Sequence, residues 1–206
     1  MKLVILAVLT LAALTSVGRA EDVDDIREAG KAETETFNAR MYAGPPGEKA
    51  YACFVRRYDA DHLARHPKQK VAAMKLLISA EVDKEDKELH HSFRLGFRYR
   101  HRSGDFDSSG SCNHAVFTRS GDEVRLGCGV DCDGGGIGVA LSKDDKSAIV
   151  RLERVRVWQN NKPDDEAEHS LTAGADDKIF RLDRTDNSEC ASLVTDRKEL
   201  AALRSK

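Results

Sequence analysis

The chain has little of what usually makes a function readable. It carries one tryptophan, aromatic residues make up 6% of it, and its formal charge is only −2 over 206 residues. This balance excludes a general nucleic-acid binder, which would show a strong basic excess. Asn-x-Ser/Thr is absent, so no N-glycan is expected, which suits a bacterial exported protein better than a eukaryotic one. Beyond the first 20 residues no apolar run approaches the roughly 20 residues of a spanning helix. No internal repeat occurs, no serine stands in a nucleophile-elbow sequence, and no H-E-x-x-H zinc signature is present.

What is present begins with residues 1–20, where Lys2 precedes an apolar and small run from Leu3 to Ala13 and Gly18-Arg19-Ala20 supplies a small-x-small triplet. That pattern is a secretory signal peptide. Glu21 rather than cysteine follows it, so no lipid anchor is expected there. Removing the leader takes Lys2 and Arg19 away, leaving 31 basic against 35 acidic residues and a formal charge of −4. The mature chain suits one domain with its own core. It divides into residues 21–47, a helical or partly disordered segment ending at Gly44-Pro45-Pro46-Gly47, and residues 48–206, a β-rich domain.

Within that domain Phe93, Leu95, Phe97 and Tyr99 alternate with Arg94, Gly96, Arg98 and Arg100, the period of a half-buried strand. Further short strands are expected at 51–55, 71–78, 115–118, 124–126, 137–141, 148–158 and 179–182, with helix composition equally good over 71–78. Asp59 caps a helical turn that Pro67 ends. The apolar alternation shifts from Val150 and Leu152 to Val155 and Val157, which predicts a bulge near Glu153-Arg154. Residues 196–203 suit a closing helix. Short strands with turn signals every ten or so residues predict a mainly β fold, a single antiparallel sandwich or barrel-like domain with a peripheral N-terminal helix and a short C-terminal helix.

Five cysteines in an exported chain read as disulfides with one left over. If Gly121-Asp122 is a two-residue hairpin loop, Phe117 faces Leu126, and Cys112 lies opposite Asp131. One residue of bulge then brings Cys112 level with Cys132, the expected pair, with Cys112 to Cys128 as the alternative. Cys53 and Cys190, near the two ends of the domain, form the other pair. Zinc at Cys112, His114, Cys128 and Cys132 has correct knuckle spacing at one end only, so no metal is expected. Gly134-Gly135-Gly136-Ile137-Gly138 runs into Val139-Ala140-Leu141 instead of a helix, which removes the phosphate-loop reading and leaves close strand approach. No cofactor is implied. His62 and His66, four apart, read as surface residues, while His90-His91 and His101 flank the arginine strand and would make it pH-sensitive.

Arg94, Arg98, Arg100 and Arg102 are the binding candidates, because they fall on one side of the alternating strand and guanidinium forks suit phosphate or carboxylate. The competing account is a solvated sheet face compensated by neighbouring carboxylates. The expectation is a monomeric periplasmic or secreted module, not membrane-spanning, that binds an anionic envelope glycan, a lipid head group or an acidic protein and does not transform it. The alternatives are a small periplasmic hydrolase assembled from the loops between Asp105 and His114, and a purely structural envelope protein.

Overall fold

Val71–Val82 (β3) and Leu89–Tyr99 (β4) form the longest hairpin ladder of the molecule, in the computed structural model that describes residues 25–160 and 169–204. The signal peptide expected at 1–20 lies outside the described residues. Alternation decides β4 as the sequence predicts: Phe93, Leu95 and Phe97 are buried, whereas Arg98 is exposed. The remaining strands are Ile26–Glu28 (β1), Lys49–Arg57 (β2), Asp105–Phe117 (β5), Glu123–Gly129 (β6), Gly135–Leu141 (β7), Ser147–Gln159 (β8), His169–Thr172 (β9) and Ile179–Thr185 (β10). All pair antiparallel in one ten-stranded sheet, the mainly β antiparallel architecture expected.

The pairing path runs β5–β4–β3–β2–β10–β8–β7–β6, and β6 pairs back onto β5, so the strands close into a circuit. β1 is added on β5 and β9 on β8. Phe54, Phe93, Phe106, Phe180, Met74 and Leu126 are fully buried in one core cluster fed by the strands of this circuit. Side chains thus fill the space a ligand-binding barrel would leave open. Between β7 and β8 the register steps from Gly136↔Arg154 to Ile137↔Leu152, so Glu153 is the extra residue of a bulge, where the shifted alternation places it.

Helix α1, Lys31–Met41, starts at Gly30, whose N–H donates to Glu33 Oε2 at 2.8 Å. It ends just before the Gly-Pro-Pro-Gly break. Its Phe37 and Met41 enter the main core and Asn38 is buried with them. Helix α2, Ala60–Arg65, is capped as expected by Asp59, which accepts from His62 N–H at 2.7 Å.

The C-terminal segment builds a second, smaller core on the opposite face of the sheet. A 3-10 stretch at Asn187–Leu193 and helix α3, Arg197–Arg204, set Cys190, Val194 and Leu203 against Cys53, Val55 and Leu77. Cys53 and Cys190 are joined, the expected long-range disulfide.

The other pairing is corrected. Cys112 bonds to Cys128, and Cys132 is a free, exposed thiol. The turn between β5 and β6 is not a two-residue loop: Thr118–Ser120 makes a 3-10 turn, and Gly121 and Asp122 both take positive φ. Phe117 therefore pairs with Glu123, Leu126 pairs with His114, and Cys112 lands directly opposite Cys128 with no bulge. The Gly/Ser/Asp-rich residues 103–111, a loop by composition, enter β5 from Asp105 onward. Gly110 permits this, since a Cβ there would strike the Gly129 carbonyl of β6.

Among the described residues no helix is long and apolar enough to cross a membrane.

Candidate functional site

The four arginines expected to make one stripe go to different places. Arg94 forms a two-pronged pair with Glu199 of α3, donating at 2.9 and 3.0 Å. Glu199 is held there because its N–H donates to Asp196 Oδ1 at the start of α3, and its carboxylate is nearly buried. Arg100 and Arg102 lie past the end of β4 at Tyr99, where strand alternation no longer orients them. Arg100 donates to the Leu63 carbonyl at 2.9 Å. Arg102 lies over the Phe106 ring, 4.5 Å from its centroid, and meets His169 Nε2 at 3.3 Å.

Arg98 is different. It is exposed and, among the described residues, has neither an ion pair nor a side-chain hydrogen bond. It lines a cleft of about 340 Å³ on the outer face of the sheet. The other cations of that cleft come from β2 and β3 and are held in place. Arg56 pairs with Asp183 at 3.0 Å, Arg57 with Glu189 at 2.7 Å, and Lys75 Nζ donates to the Glu189 carbonyl at 2.7 Å and to Ser192 Oγ at 3.2 Å. Leu193 and Ser192 form one wall, and the outward-facing Val55, Ala73 and Gly96 lie on the floor. The carboxylate lining it is Asp105, the direct cross-strand neighbour of Arg98. Such a cleft offers an anion one unengaged guanidinium fork beside a partly apolar floor, with the Lys75 ammonium fixed nearby while Arg56 and Arg57 are neutralised by their carboxylates.

A second groove of about 360 Å³ lies beyond the end of β4, lined by Lys68, Gln69, Lys70, Tyr99, His101 and Arg102 together with Pro67. It has no carboxylate in its lining. Asp176 and Asp177 accept from the backbone N–H groups of Lys68, Lys70 and Val71 at 2.7 to 3.3 Å.

Other residues singled out by sequence take structural places. His91 and His114 face inward, and each presents Nε2 to Asn38 Oδ1, at 3.1 and 2.9 Å. Burial pushes both imidazoles down to about 4, and for His91 the neighbouring His114 and His90 add to the effect. Of the histidines flanking the arginine strand, His90 alone meets a carboxylate, Asp86 at 2.8 Å, and its pKa is raised by that hydrogen bond. His62 stacks between Tyr58 and His66, at 4.6 and 4.3 Å between centroids, and its Nε2 lies 3.0 Å from Gln69 Oε1. With Cys112 and Cys128 oxidised, the Cys/His set considered for zinc is dismantled. The glycine run serves close packing: a Cβ on Gly135 or Gly136 would collide with the carbonyls of Arg154 and Cys128 in the flanking strands.

Asp105 and His114, the ends of the stretch considered for catalysis, do not meet. They lie nine residues apart on one strand, roughly 30 Å, with Asp105 in the cleft and His114 inside against Phe37. The members of the cleft that sequence reading missed are Arg56, Arg57, Lys75 and the Ser192-Leu193 wall. The adjacent Arg56-Arg57 at a strand end was the available signal; the wall had none, because it arrives from the other end of the chain.

Comparison with known protein families, with curated proteins and with solved structures gives no match to this chain, so the case for function rests on its own residues.

Proposed function

We propose that the mature protein is an exported binding module that captures an anionic ligand in the outer cleft, with Arg98 as its primary contact. The observation carrying this reading is that Arg98 stands without a partner among the described residues, where Arg56, Arg57 and Lys75 around it are each engaged. Arg94, by contrast, is spent on Glu199 and Arg100 on a carbonyl, so they support the fold. Export to the periplasm or the medium rests on the leader at 1–20 and on two disulfides, which persist where thiols are oxidised.

The test compares the mature protein with Arg98→Ser by titration calorimetry against polygalacturonate, anionic phosphatidylglycerol vesicles and polyglutamate. Loss of binding to one of these in Arg98→Ser, with unchanged thermal stability, supports the reading. Equal binding by both proteins across the panel removes it.

A second reading has one observation in its favour. Asp105 and Asp107 share the outer face of β5 two residues apart, and burial raises the Asp107 carboxyl above the usual range. Two carboxyls spaced by one strand repeat, one of them inclined to hold its proton, are the requirement for general acid–base cleavage of a glycosidic bond. Reducing ends released from an acidic polysaccharide by the wild type but not by Asp107→Asn would establish it.

A further inference from the structure

Trp158, the chain's single tryptophan, is 39% exposed near the end of β8. Its position relative to Arg98 follows from strand register. Arg98 pairs with Asp105, and Asn160 N–H donates to the Asp105 carbonyl at 2.9 Å, so Arg98, Asp105 and Asn160 make one row across the outer face. One strand repeat along, Gly96 pairs with Asp107 and Asp107 with Trp158, so Gly96, Asp107 and Trp158 make the next row. Strands lie about 4.8 Å apart and same-face residues about 6.8 Å apart along a strand, which puts the Cα atoms of Arg98 and Trp158 at roughly 12 Å. Between the indole and the guanidinium lie two carboxylates and an amide, all hydrogen-bonding groups of outward-facing residues.

From this juxtaposition we infer that the ligand of the Arg98 cleft is an acidic polysaccharide, one sugar ring stacking on the Trp158 indole while the charged substituent of a neighbouring residue is held by Arg98. The inference rests on the anion-binding reading above and names its ligand class. A pyranose presents a face of C–H groups that packs on an aromatic π face, and its hydroxyls need acceptors and donors beside that face, which Asp107, Asp105 and Asn160 provide. The span between the two anchors accommodates about two sugar residues. A lipid surface is the poorer fit. Among the described residues the other exposed large apolar side chains are Ile26, which pairs with Phe117 far along β5 from Asp107, and Ile179, which pairs with Arg151 well along β8 from Trp158, each roughly 20 Å or more from this site, so no apolar patch accompanies the cation there. A free small anion would make no use of the indole.

Because Trp158 is the only tryptophan, its fluorescence reports on this site alone. The mature protein is titrated with sodium polygalacturonate, with uncharged dextran, with inorganic phosphate and with phosphatidylglycerol vesicles. A saturable change in emission with polygalacturonate and none with dextran is expected. By calorimetry Trp158→Ala should weaken polygalacturonate binding about tenfold or more and leave phosphate binding unchanged, with Trp158→Phe retaining part of the affinity. Arg98→Ser should weaken both. If Arg98→Ser abolishes anion binding but Trp158→Ala and Trp158→Phe bind polygalacturonate like the wild type, the polysaccharide inference falls and the anion-binding reading stands. Binding to vesicles alone also overturns the inference. If Arg98→Ser binds like the wild type throughout, both fall.

Discussion

Leu193 occupies the space that a side chain on Gly96 would need, since a Cβ at position 96 would run into Leu193 Cδ2. A glycine in the middle of an otherwise alternating strand is thereby explained: it lets the C-terminal segment lie flat on β4 and form the wall of the Arg98 cleft. Gly96→Val should displace Leu193, cost about 1 to 3 kcal/mol of stability, and weaken anion binding at the cleft. Gly96→Val with wild-type affinity in calorimetry would mean the wall is irrelevant to the ligand.

Arg94→Ala separates structure from binding. It leaves the Glu199 carboxylate nearly buried and short of its main partner, with Lys49 3.9 Å away as the remaining cation. The expected loss is about 2 kcal/mol in denaturant unfolding, since breaking one partner from a largely buried pair is costly, with no change in affinity for the ligand of Arg98.

The two disulfides should contribute unequally. Cys53 and Cys190 are 137 residues apart and Cys112 and Cys128 only 16. The chain-entropy model assigns roughly 5 kcal/mol to the first and roughly 3 kcal/mol to the second. Thermal unfolding of the Cys53→Ser/Cys190→Ser and Cys112→Ser/Cys128→Ser double variants should show the larger drop for the first pair. Equal drops would indicate that the C-terminal segment holds without its bond.

Cys132 should alkylate with iodoacetamide in the native protein to one equivalent, located by peptide mapping, since it is the exposed thiol outside both disulfides. Modification of Cys128 instead would contradict the observed pairing.

Stability should fall as the medium becomes acidic through the interior imidazoles. His91 and His114 are held down to about 4 when folded, chiefly by burial, against about 6.5 when unfolded. The unfolded chain therefore binds more protons between those values. The stability involved is fully present above about pH 6.5 and is lost as the pH drops toward 4, at about 1 to 2 kcal/mol for each imidazole once partial solvent screening is discounted. Replacing both histidines with glutamine should flatten the unfolding free energy between pH 4 and 6.5. Asn38→Ala removes the oxygen both rings share and should destabilise the protein by about 1 to 3 kcal/mol at neutral pH, measured by denaturant unfolding.

Local patterns carried a good part of the architecture. The alternation of Phe93 to Tyr99 places β4, the phase shift between Leu152 and Val155 places the bulge, and Asp59 and Pro67 bound a short helix, because each of these depends on neighbours within a few residues. Cys53 and Cys190 were readable as the long-range pair from their positions alone. Apart from that bond, what depends on distant parts of the chain was not legible. The turn after Phe117 sets the β5–β6 register, and its five residues from Thr118 to Asp122 moved Cys112 from Cys132 to Cys128. Identical guanidinium groups close together in the chain acquired different roles only when α3 brought Glu199 to Arg94 and the chain turned away after Tyr99, leaving Arg98 unengaged among the described residues. Sequence by itself determined which residues alternate, break and cap; tertiary structure decided which charge meets which, since ion pairing is set by distances across strands that are far apart along the chain.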